Sequence, residues 1–467
     1  MTVTELKEFL TAGSHVHLIG IGGVSMFPLA EVLKGIGMVV TGSDMHENDN
    51  VDHLITQGID VYLGHRAENV RGADLVIRTA AVHDDNPEIQ AAYAAGIPVF
   101  ERGQAWGAIM MDYRHAVCFS GTHGKTTTTS MCAHIAIAAS IDPTIMIGGN
   151  LPLLGAGYRI GKGDTIILES CEYRNSFLSF RPTTAVILDI EEDHLDFFKD
   201  LADIEHSFRT FANLVPENGV VIANADDRNT MDTLDGIDRP FITFGLGSYA
   251  DIYCSEPTWE KGLPTFDLYH RDELICNISL AIPGLHNVKN ALAASAAALY
   301  MGIDPRFISE GLKSYHGAKR RFEYKGEVNG AKVYDDYAHH PGEIHVLLKT
   351  AKSLGYDRII CAFQPHTYSR TKALFDDFVQ ELQLADLTLL AEIYPAREVN
   401  TLGISSKDLA VKIPNAEFYP TFSELEARLR DLAKPGDLIL TVGAGELNQV
   451  ADALVSKKHK SKVISSI

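Results

Sequence analysis

The segment GTHGKTT, Gly121 to Thr127, is the most chemically explicit stretch of the chain. It follows the apolar run HAVCFS and precedes a helical pattern, so it reads as a strand, a glycine-containing turn and a helix. Backbone N–H groups of such a turn, with the positive end of the helix behind them, hold phosphate oxygens. Lys125 reaches the β and γ phosphates and the Thr126 hydroxyl suits Mg²⁺. The segment therefore predicts ATP and Mg²⁺ as cofactors, with Gly121, Thr122, His123, Gly124, Lys125, Thr126 and Thr127 as the cradle. Phe119 stands where the first glycine of G-x-x-x-x-G-K-T belongs, which makes the loop a variant of that spelling.

A second strand, turn and helix is spelled LIGIGGVSMFPLAEVL, with Gly20, Gly22 and Gly23 in the turn and Asp44 at the end of the next strand. A carboxylate there can bind ribose hydroxyls, which suits NAD or a nucleotide-linked substrate equally. Ser25 takes the third glycine position of G-x-G-x-x-G. Acidic and imidazole groups follow later strands: Glu169 and Glu172 in ILESCEY, and Asp193, His194 and Asp196 in DIEEDHLD. Strand C-termini of an open α/β sheet converge on one crevice, so these groups are expected near Lys125, where carboxylate and imidazole hold Mg²⁺. Without the ATP loop, His194 reads as a helix-cap or core residue, since histidine is an uncommon magnesium ligand; with the loop, it reads as a ligand. DDYAHHP (Asp335 to Pro341) and FQPHTYSR (Phe363 to Arg370) gather His339, His340 and His366 at two further strand ends, and Arg370 offers a planar fork for a carboxylate.

The elements that position these groups form three α/β series. From His15 to Glu101, short Val- and Ile-rich runs (HVHLIG, MVVTGSD, GIDVYLG, ADLVIRTAA, IPVFE) alternate with helical patterns, as in a parallel sheet covered by helices. A second series runs from HAVCFSG through TIMIGG, DTIILES, TTAVILDI, GVVIANADD and PFITFG. Period-two alternation between Ala250 and Pro283 predicts antiparallel strands or a small side sheet, and Ala-rich His286 to Met301 a buried helix. After a charged bend at Lys319 to Gly330, a third series comprises KVYDDY, RIICAF, LTLLAEI, AEFYP and DLILTVGAG, with helices at Lys372 to Leu384 and Phe422 to Leu432. The expected domains are 1–112, 113–318 and 319–467: Rossmann-like, P-loop-type with a side sheet, and Rossmann-like again.

Composition is consistent with this. At 467 residues the chain exceeds one ordinary core, and 46% apolar with 22% charged residues is ordinary for a globular protein. With 41 basic against 61 acidic residues the net charge is -20, which argues against nucleic-acid or anionic-membrane partners. The tail around Lys457, Lys458, Lys460 and Lys462 reads as a solvated end. Six scattered cysteines without a C-x-x-C pair suit reduced thiols, and the remaining histidines show no structural-zinc spacing. No basic-then-apolar leader opens the chain and no apolar run approaches the roughly 18 residues that span a bilayer, so a cytoplasmic protein is expected.

The ordered set GIGGVSM, GSD, GHRAENV, TAAVHDDNPE, GTHGKTTTT, ESCEYRNSFL, DIEEDHLDFF, PGLHNVKNALAA, RRFE, DYAHHP, FQPHTYSR, EIYPARE and GAGE resembles the Mur ligases over nearly the whole chain. The resemblance implies an N-terminal UDP-sugar domain, a central ATPase domain and a C-terminal domain that closes over the site. It implies a ligase for peptidoglycan precursors; apart from the resemblance, a monomer or weak homodimer is expected. ATP would phosphorylate the lactyl carboxylate of UDP-N-acetylmuramate, and the amine of L-alanine would attack the acyl phosphate.

The same resemblance assigns Lys125 to the transferred phosphate, Thr126 and Glu172 to one Mg²⁺, and His194 to a second. It assigns His286, Asn290, Asp336 and Tyr337 to the nucleotide, and Gly22, Gly23, Asp44 and His65 to the UDP-sugar. Arg320, His340, His366 and Arg370 are candidates for the reacting carboxylate and alanine, with Arg320 also a nucleotide contact. Three positions depart from the pattern. Ser25 replaces a common glycine, Thr367 replaces a common arginine, and Asp200 to Phe211 lacks the lysine that some relatives carbamylate. The competing readings are a tripeptide-recycling ligase for the same UDP-sugar, a UDP-sugar-binding regulator without catalysis, and a dehydrogenase using the first glycine loop.

Overall fold

The computed structural model describes residues 2–79, 81–195 and 197–456; Asp196 and the basic tail lie outside them. The first series folds as five parallel strands, β1 (His15–Ile19), β2 (Val39–Asp44), β3 (Asp60–Leu63), β4 (Leu75–Arg78) and β5 (Val99–Glu101), in the order β3-β2-β1-β4-β5. The order reverses at β1, so the crevice beyond the C-termini of β1 and β4 is where such a sheet receives a ligand. The loop Gly20 to Gly23 opens there.

The second sheet has 11 strands: β6 (His115–Ser120), β7 (Thr144–Leu151), β8 (Ala156–Arg159), β9 (Thr165–Glu169), β10 (Thr184–Ile187), β11 (Val220–Asn224), β12 (Phe241–Phe244), β13 (Ile252–Cys254), β14 (Thr258–Glu260), β15 (Leu263–His270) and β16 (Glu273–Ser279). Its order is β14-β15-β13-β12-β11-β10-β6-β9-β7-β8, with β16 on β15. Parallel pairing from β7 to β12 places β6 between β9 and β10 at the centre, so the loop after β6 emerges between two strand ends that carry acidic residues. The period-two region forms antiparallel strands that continue this sheet past β13. β8, which runs antiparallel to β7, has only four half-buried residues and no alternation to announce it.

The third sheet is β17 (Glu323–Val328), β18 (Ala331–Asp336), β19 (Arg358–Phe363), β20 (Leu387–Ala391), β21 (Ala416–Tyr419) and β22 (Asp437–Val442), in the order β17-β18-β22-β19-β20-β21. β17 corrects the reading of Lys319 to Gly330 as a bend. It pairs antiparallel with β18 through a turn at Asn329 (φ +50°) and Gly330 (φ +85°), and its half-exposed edge position accounts for its charged residues. The helix expected over Lys372 to Leu384 is two pieces, Tyr368–Ala373 and Phe375–Leu382, broken at Leu374. The helices Phe422–Leu432 and Leu285–Tyr300 stand as expected.

The chain packs as two compact units. One runs from the N-terminus to Glu256, with Phe266–Ile278 and Lys289–Ser314; the other holds Pro257–Thr265, Ser279–Val288 and the chain from Tyr315 onward. In the first unit a continuous apolar core joins Leu18, Ile77 and Trp106 of the first series to Cys118, Ile166, Phe177 and Phe208 of the second. The helix Arg102–Met110 is pressed against Tyr173–Ser179 so closely that a Cβ on Gly107 would lie 2.0 Å from the Ser179 carbonyl oxygen. The C-terminal unit has apolar clusters on the two faces of its sheet, around Leu348 and Phe363 and around Leu389 and Ile439.

Candidate active site

The turn after β6 is shaped by two glycines with positive φ, Gly121 at +148° and Gly124 at +79°. Their lack of a side chain is required twice. A Cβ on Gly121 would lie 2.9 Å from Leu188 Cβ, and one on Gly124 would lie 2.6 Å from Asn290 Oδ1. The strand end after β10 braces the turn: Thr122 N donates to the Asp189 carbonyl (3.1 Å), His123 N to Asp189 Oδ1 (2.7 Å), and Glu191 N to Thr122 Oγ1 (2.9 Å). Burial pushes the Asp189 carboxyl up to about 6, against the opposing pull of His123.

Lys125 opens the helix Lys125–Ala138 and folds back over the turn. Its ammonium donates to the carbonyls of Gly121 and Thr122 and to both Glu172 oxygens at 3.1 Å. Burial acts to deprotonate this lysine, but the Glu172 carboxylate, with Cys171 and Glu169 behind it, outweighs that and holds its pKa above the ordinary lysine value. A fixed cation thus sits at the start of a helix that follows a glycine turn, the arrangement that receives a terminal phosphate.

Thr126 donates to Glu169 Oε1 (3.1 Å), and Glu169 Oε2 accepts from Gly148 N (2.7 Å). His194 lies at φ +55° with its Nε2 3.8 Å from Glu172 Oε1 and 3.7 Å from Asp193 Oδ2, and Tyr173 packs on its ring with centroids 4.6 Å apart. The structure therefore brings together Lys125, Glu172 and His194 as expected and adds Glu169 as the partner of Thr126. Glu169 was expected near Lys125 among the groups that could hold Mg²⁺; its contact with Thr126 follows from its place at the end of β9, beside β6.

At the other glycine loop, Gly22 N donates to Asp44 Oδ2 (2.9 Å), and a Cβ on Gly22 would lie 2.7 Å from Val51 Cγ2. His65 Nδ1 is 2.9 Å from Glu88 Oε2 and 3.1 Å from Ser43 Oγ. Glu88 is fully buried, also receives Asn69 Nδ2 (2.5 Å), and has His17 Nε2 at 3.6 Å. The segment TAAVHDDNPE ends on Glu88, but its spelling assigns that carboxylate no role. Glu88 holds the ring of His65 from beneath.

In the C-terminal unit Arg320, at φ +61°, pairs with buried Asp335 (3.2 Å), donates to the Gly443 carbonyl and lies 4.8 Å from the Tyr337 ring centroid. Asp336 accepts from Phe322 N (2.7 Å) and Ala338 N (2.8 Å), and burial raises its carboxyl to about 6. His340 caps the helix Pro341–Ser353 in a reciprocal box with Glu343. His366 and Arg370 are brought together, with Arg370 Nη1 at 3.2 Å from His366 Nδ1. Burial first, then the charges of His339 and Arg370, push the His366 imidazole down to about 4, so it accepts from the guanidinium as a neutral ring. Thr367 is held at φ +64° and caps the helix Tyr368–Ala373 through its hydroxyl. His286 and Asn290 lie one turn apart on Leu285–Tyr300.

Among the described residues no helix is long and apolar enough to cross a membrane. Comparison with known proteins gives matches along the chain to the Mur ligase family catalytic domain (residues 15–114), the Mur ligase middle domain (119–298) and the Mur ligase glutamate ligase domain (320–445). UDP-N-acetylmuramate–L-alanine ligase of Agathobacter rectalis is 46% identical over 449 residues, 95% of this chain and 98% of that protein. The same-named enzyme of Caldanaerobacter subterraneus is 43% identical over 461 residues, covering 98% and 99%. Among solved structures, UDP-N-acetylmuramate-alanine ligase of Thermotoga maritima has a TM-score of 0.76 at 29% identity, covering 94% of this chain and 98% of that one. A murein peptide ligase of Psychrobacter arcticus has a TM-score of 0.69 at 26% identity, covering 95% and 100%. MurF ligase of T. maritima, solved in complex with ADP, shares the fold at 15% identity, with a TM-score of 0.62 and coverage of 89% and 93%. With three family domains in order and whole-length relatives above 40% identity, the chain belongs to the Mur ligase family.

Proposed function

We propose that this chain is an ATP-dependent ligase that joins L-alanine to the lactyl carboxylate of UDP-N-acetylmuramate, a step in the synthesis of peptidoglycan precursors. The observation that carries the proposal is the Lys125 ammonium, held between the carbonyls of its own glycine loop and both Glu172 oxygens. The tripeptide-recycling alternative is less supported: relatives at 46% and 43% identity are named for the alanine-adding reaction, and among solved structures the alanine ligase has a TM-score of 0.76 against 0.69 for the murein peptide ligase. A regulator without catalysis does not need this lysine and these carboxylates, and a dehydrogenase needs no second phosphate loop.

A carboxylate resists attack by an amine until one of its oxygens becomes a leaving group. The lactyl carboxylate takes the γ-phosphoryl group of ATP and ADP departs; the alanine amine then adds to the acyl carbon, loses a proton and expels phosphate. Lys125 stabilises the charge on the transferred group, and within the loop Gly121 to Thr127 the N–H groups that open the helix at Lys125 hold the phosphates, those of Thr122 and His123 being engaged by Asp189. Thr126 and Glu172 would hold one Mg²⁺ and His194 a second, with Glu169 orienting the threonine hydroxyl, and donors of hydroxyl, carboxylate and imidazole type fit divalent cations. When bound, such ions neutralise phosphate charge. Gly22, Gly23, Asp44 and His65 are proposed to bind the UDP-sugar, with Glu88 fixing the ring of His65. His286, Asn290, Arg320, Asp336 and Tyr337 are proposed for the nucleotide, and His340, His366 and Arg370 for the carboxylate and alanine, His366 through its bond with Arg370.

The domains proposed are 1–112 for the UDP-sugar, 113–318 for ATP and 319–467 for completing the ligase. Cytoplasmic residence suits the substrates and the six free cysteines. Phosphate release from ATP, measured with UDP-N-acetylmuramate and a panel of amino acids and peptides, tests the reading. L-Alanine is expected to stimulate release; stimulation by the tripeptide alone overturns the proposal.

A further inference from the structure

The loop that follows β9 carries one thiol that the ligase reaction leaves unused. Cys171 is exposed, whereas Cys118, Cys132, Cys254 and Cys361 are buried. The ligand atoms of Cys171, Glu172 and His194 lie within 4.8 Å of one another, the one such trio among the described residues. Two of the three are held in place. Glu172 is buried with both oxygens 3.1 Å from Lys125 Nζ, and His194 is fixed by its φ of +55°, by its N–H donating to Asp193 Oδ1 (2.7 Å) and by the Tyr173 ring against its own.

Thiolate, imidazole and carboxylate together form a softer donor set than the oxygen-rich one that Mg²⁺ prefers, and they are the ligands of zinc. Tetrahedral zinc with bonds of about 2.0–2.3 Å sets its ligands about 3.5 Å apart, so the trio needs to close by about 1 Å, which rotation of the exposed cysteine can supply. We infer that Cys171, Glu172 and His194 form a site for Zn²⁺ or another thiophilic divalent cation, through which such cations inhibit the enzyme. The thiol proton passes to solvent as the sulfur–metal bond forms, and the metal takes an oxygen of Glu172 where it stands. Glu172 and His194, two of the residues proposed for Mg²⁺, are then held by an ion that the thiolate will not readily release. Only the inhibitory consequence rests on the ligase reading; the binding does not.

Co²⁺ titrated into the full-length protein is the direct probe, because cobalt bound to thiolate absorbs in the near ultraviolet through charge transfer. The band is expected in the wild type and absent from Cys171→Ser and Cys171→Ala. In the phosphate-release assay with Mg²⁺ present, the Zn²⁺ concentration that halves activity is expected to rise at least about tenfold in either variant, since even an outer-shell partner of a bound metal is worth that much. Activity with Mg²⁺ alone is expected to be unchanged. A cobalt band that persists in the variants, or equal zinc sensitivity, overturns the site. Absence of alanine-dependent turnover with an intact cobalt band would sink the ligase reading and leave the metal site standing.

Discussion

The loop after β1 and the loop after β6 share a plan of strand, glycine turn and helix, and they differ in what stands opposite the glycines. Opposite Gly22 is the carboxylate of Asp44, which accepts the loop's own N–H at 2.9 Å. Opposite Gly121 and Gly124 are Leu188, Asp189 and Asn290, with Lys125 drawn over the turn by Glu172. The first loop offers backbone dipoles and one anion, suited to hydroxyls. The second adds a fixed cation, which is what a phosphoryl group needs as it changes hands. A glycine-rich turn is thus a generic holder, and the neighbouring strand ends decide whether it binds or transfers.

The sharpest way to break this contrast is Lys125→Ala. Turnover is expected to fall at least about 1,000-fold, the scale of losing a preorganised charge at the reacting group. UDP-N-acetylmuramate binding, measured by calorimetry, should be retained; normal turnover would remove the distinction between the loops. Next come mirrored glycine substitutions. Gly124→Ala places a side chain at φ +79° and 2.6 Å from Asn290 Oδ1, a backbone penalty alone of about 1–2 kcal/mol, and should weaken ATP binding about tenfold while sparing the UDP-sugar. Gly22→Ala, crowding Val51 at 2.7 Å, should do the reverse. Equal effects of each on both ligands would show that the loops do not act separately.

Asp44→Ala should cost about 1.5–3 kcal/mol of loop bracing through its lost charge-assisted bond and raise the KM for the UDP-sugar with little change in kcat. A fall in kcat alone would move Asp44 into the chemistry. The smallest effect concerns pH. The folded protein raises the Asp189 carboxyl from 3.8 to about 6, so between those values the native state holds more protons than the unfolded chain. The stabilisation this gives is complete below 3.8 and is lost as pH rises through 6. Asp189→Asn should therefore raise the Tm of the ligand-free protein by about 2–4 °C at pH 8 and by less at pH 5. A gain that is the same at both would refute the assignment of this pH sensitivity to the phosphate loop.

The glycine loops, Lys125 and the buried parallel strands were legible because their signals are local: a spacing, a Val-rich run, a helix start. The partners that tune them were harder to read. Lys125 meets Glu172 from 47 residues away and His123 meets Asp189 from 66, and only the strand order β10-β6-β9 brings those ends together. Glu88 was missed because a buried carboxylate beneath a histidine has no spacing rule. β8 and β17 were missed because short edge strands carry polar, half-exposed residues that look like loops. Thr367 shows the converse: its departure from a familiar spelling was visible, but its left-handed backbone and capping hydroxyl were not.

The absent side chain of Gly107 bears on how the molecule is made. With the Ser179 carbonyl oxygen 2.0 Å from where a Cβ would stand, and with Trp106 and Phe177 in one apolar core, the first 112 residues have no finished surface of their own on that side. A ribosome that has released only the first sheet has delivered a chain with an open flank. That flank is covered only by Tyr173–Ser179, some seventy positions further along the chain.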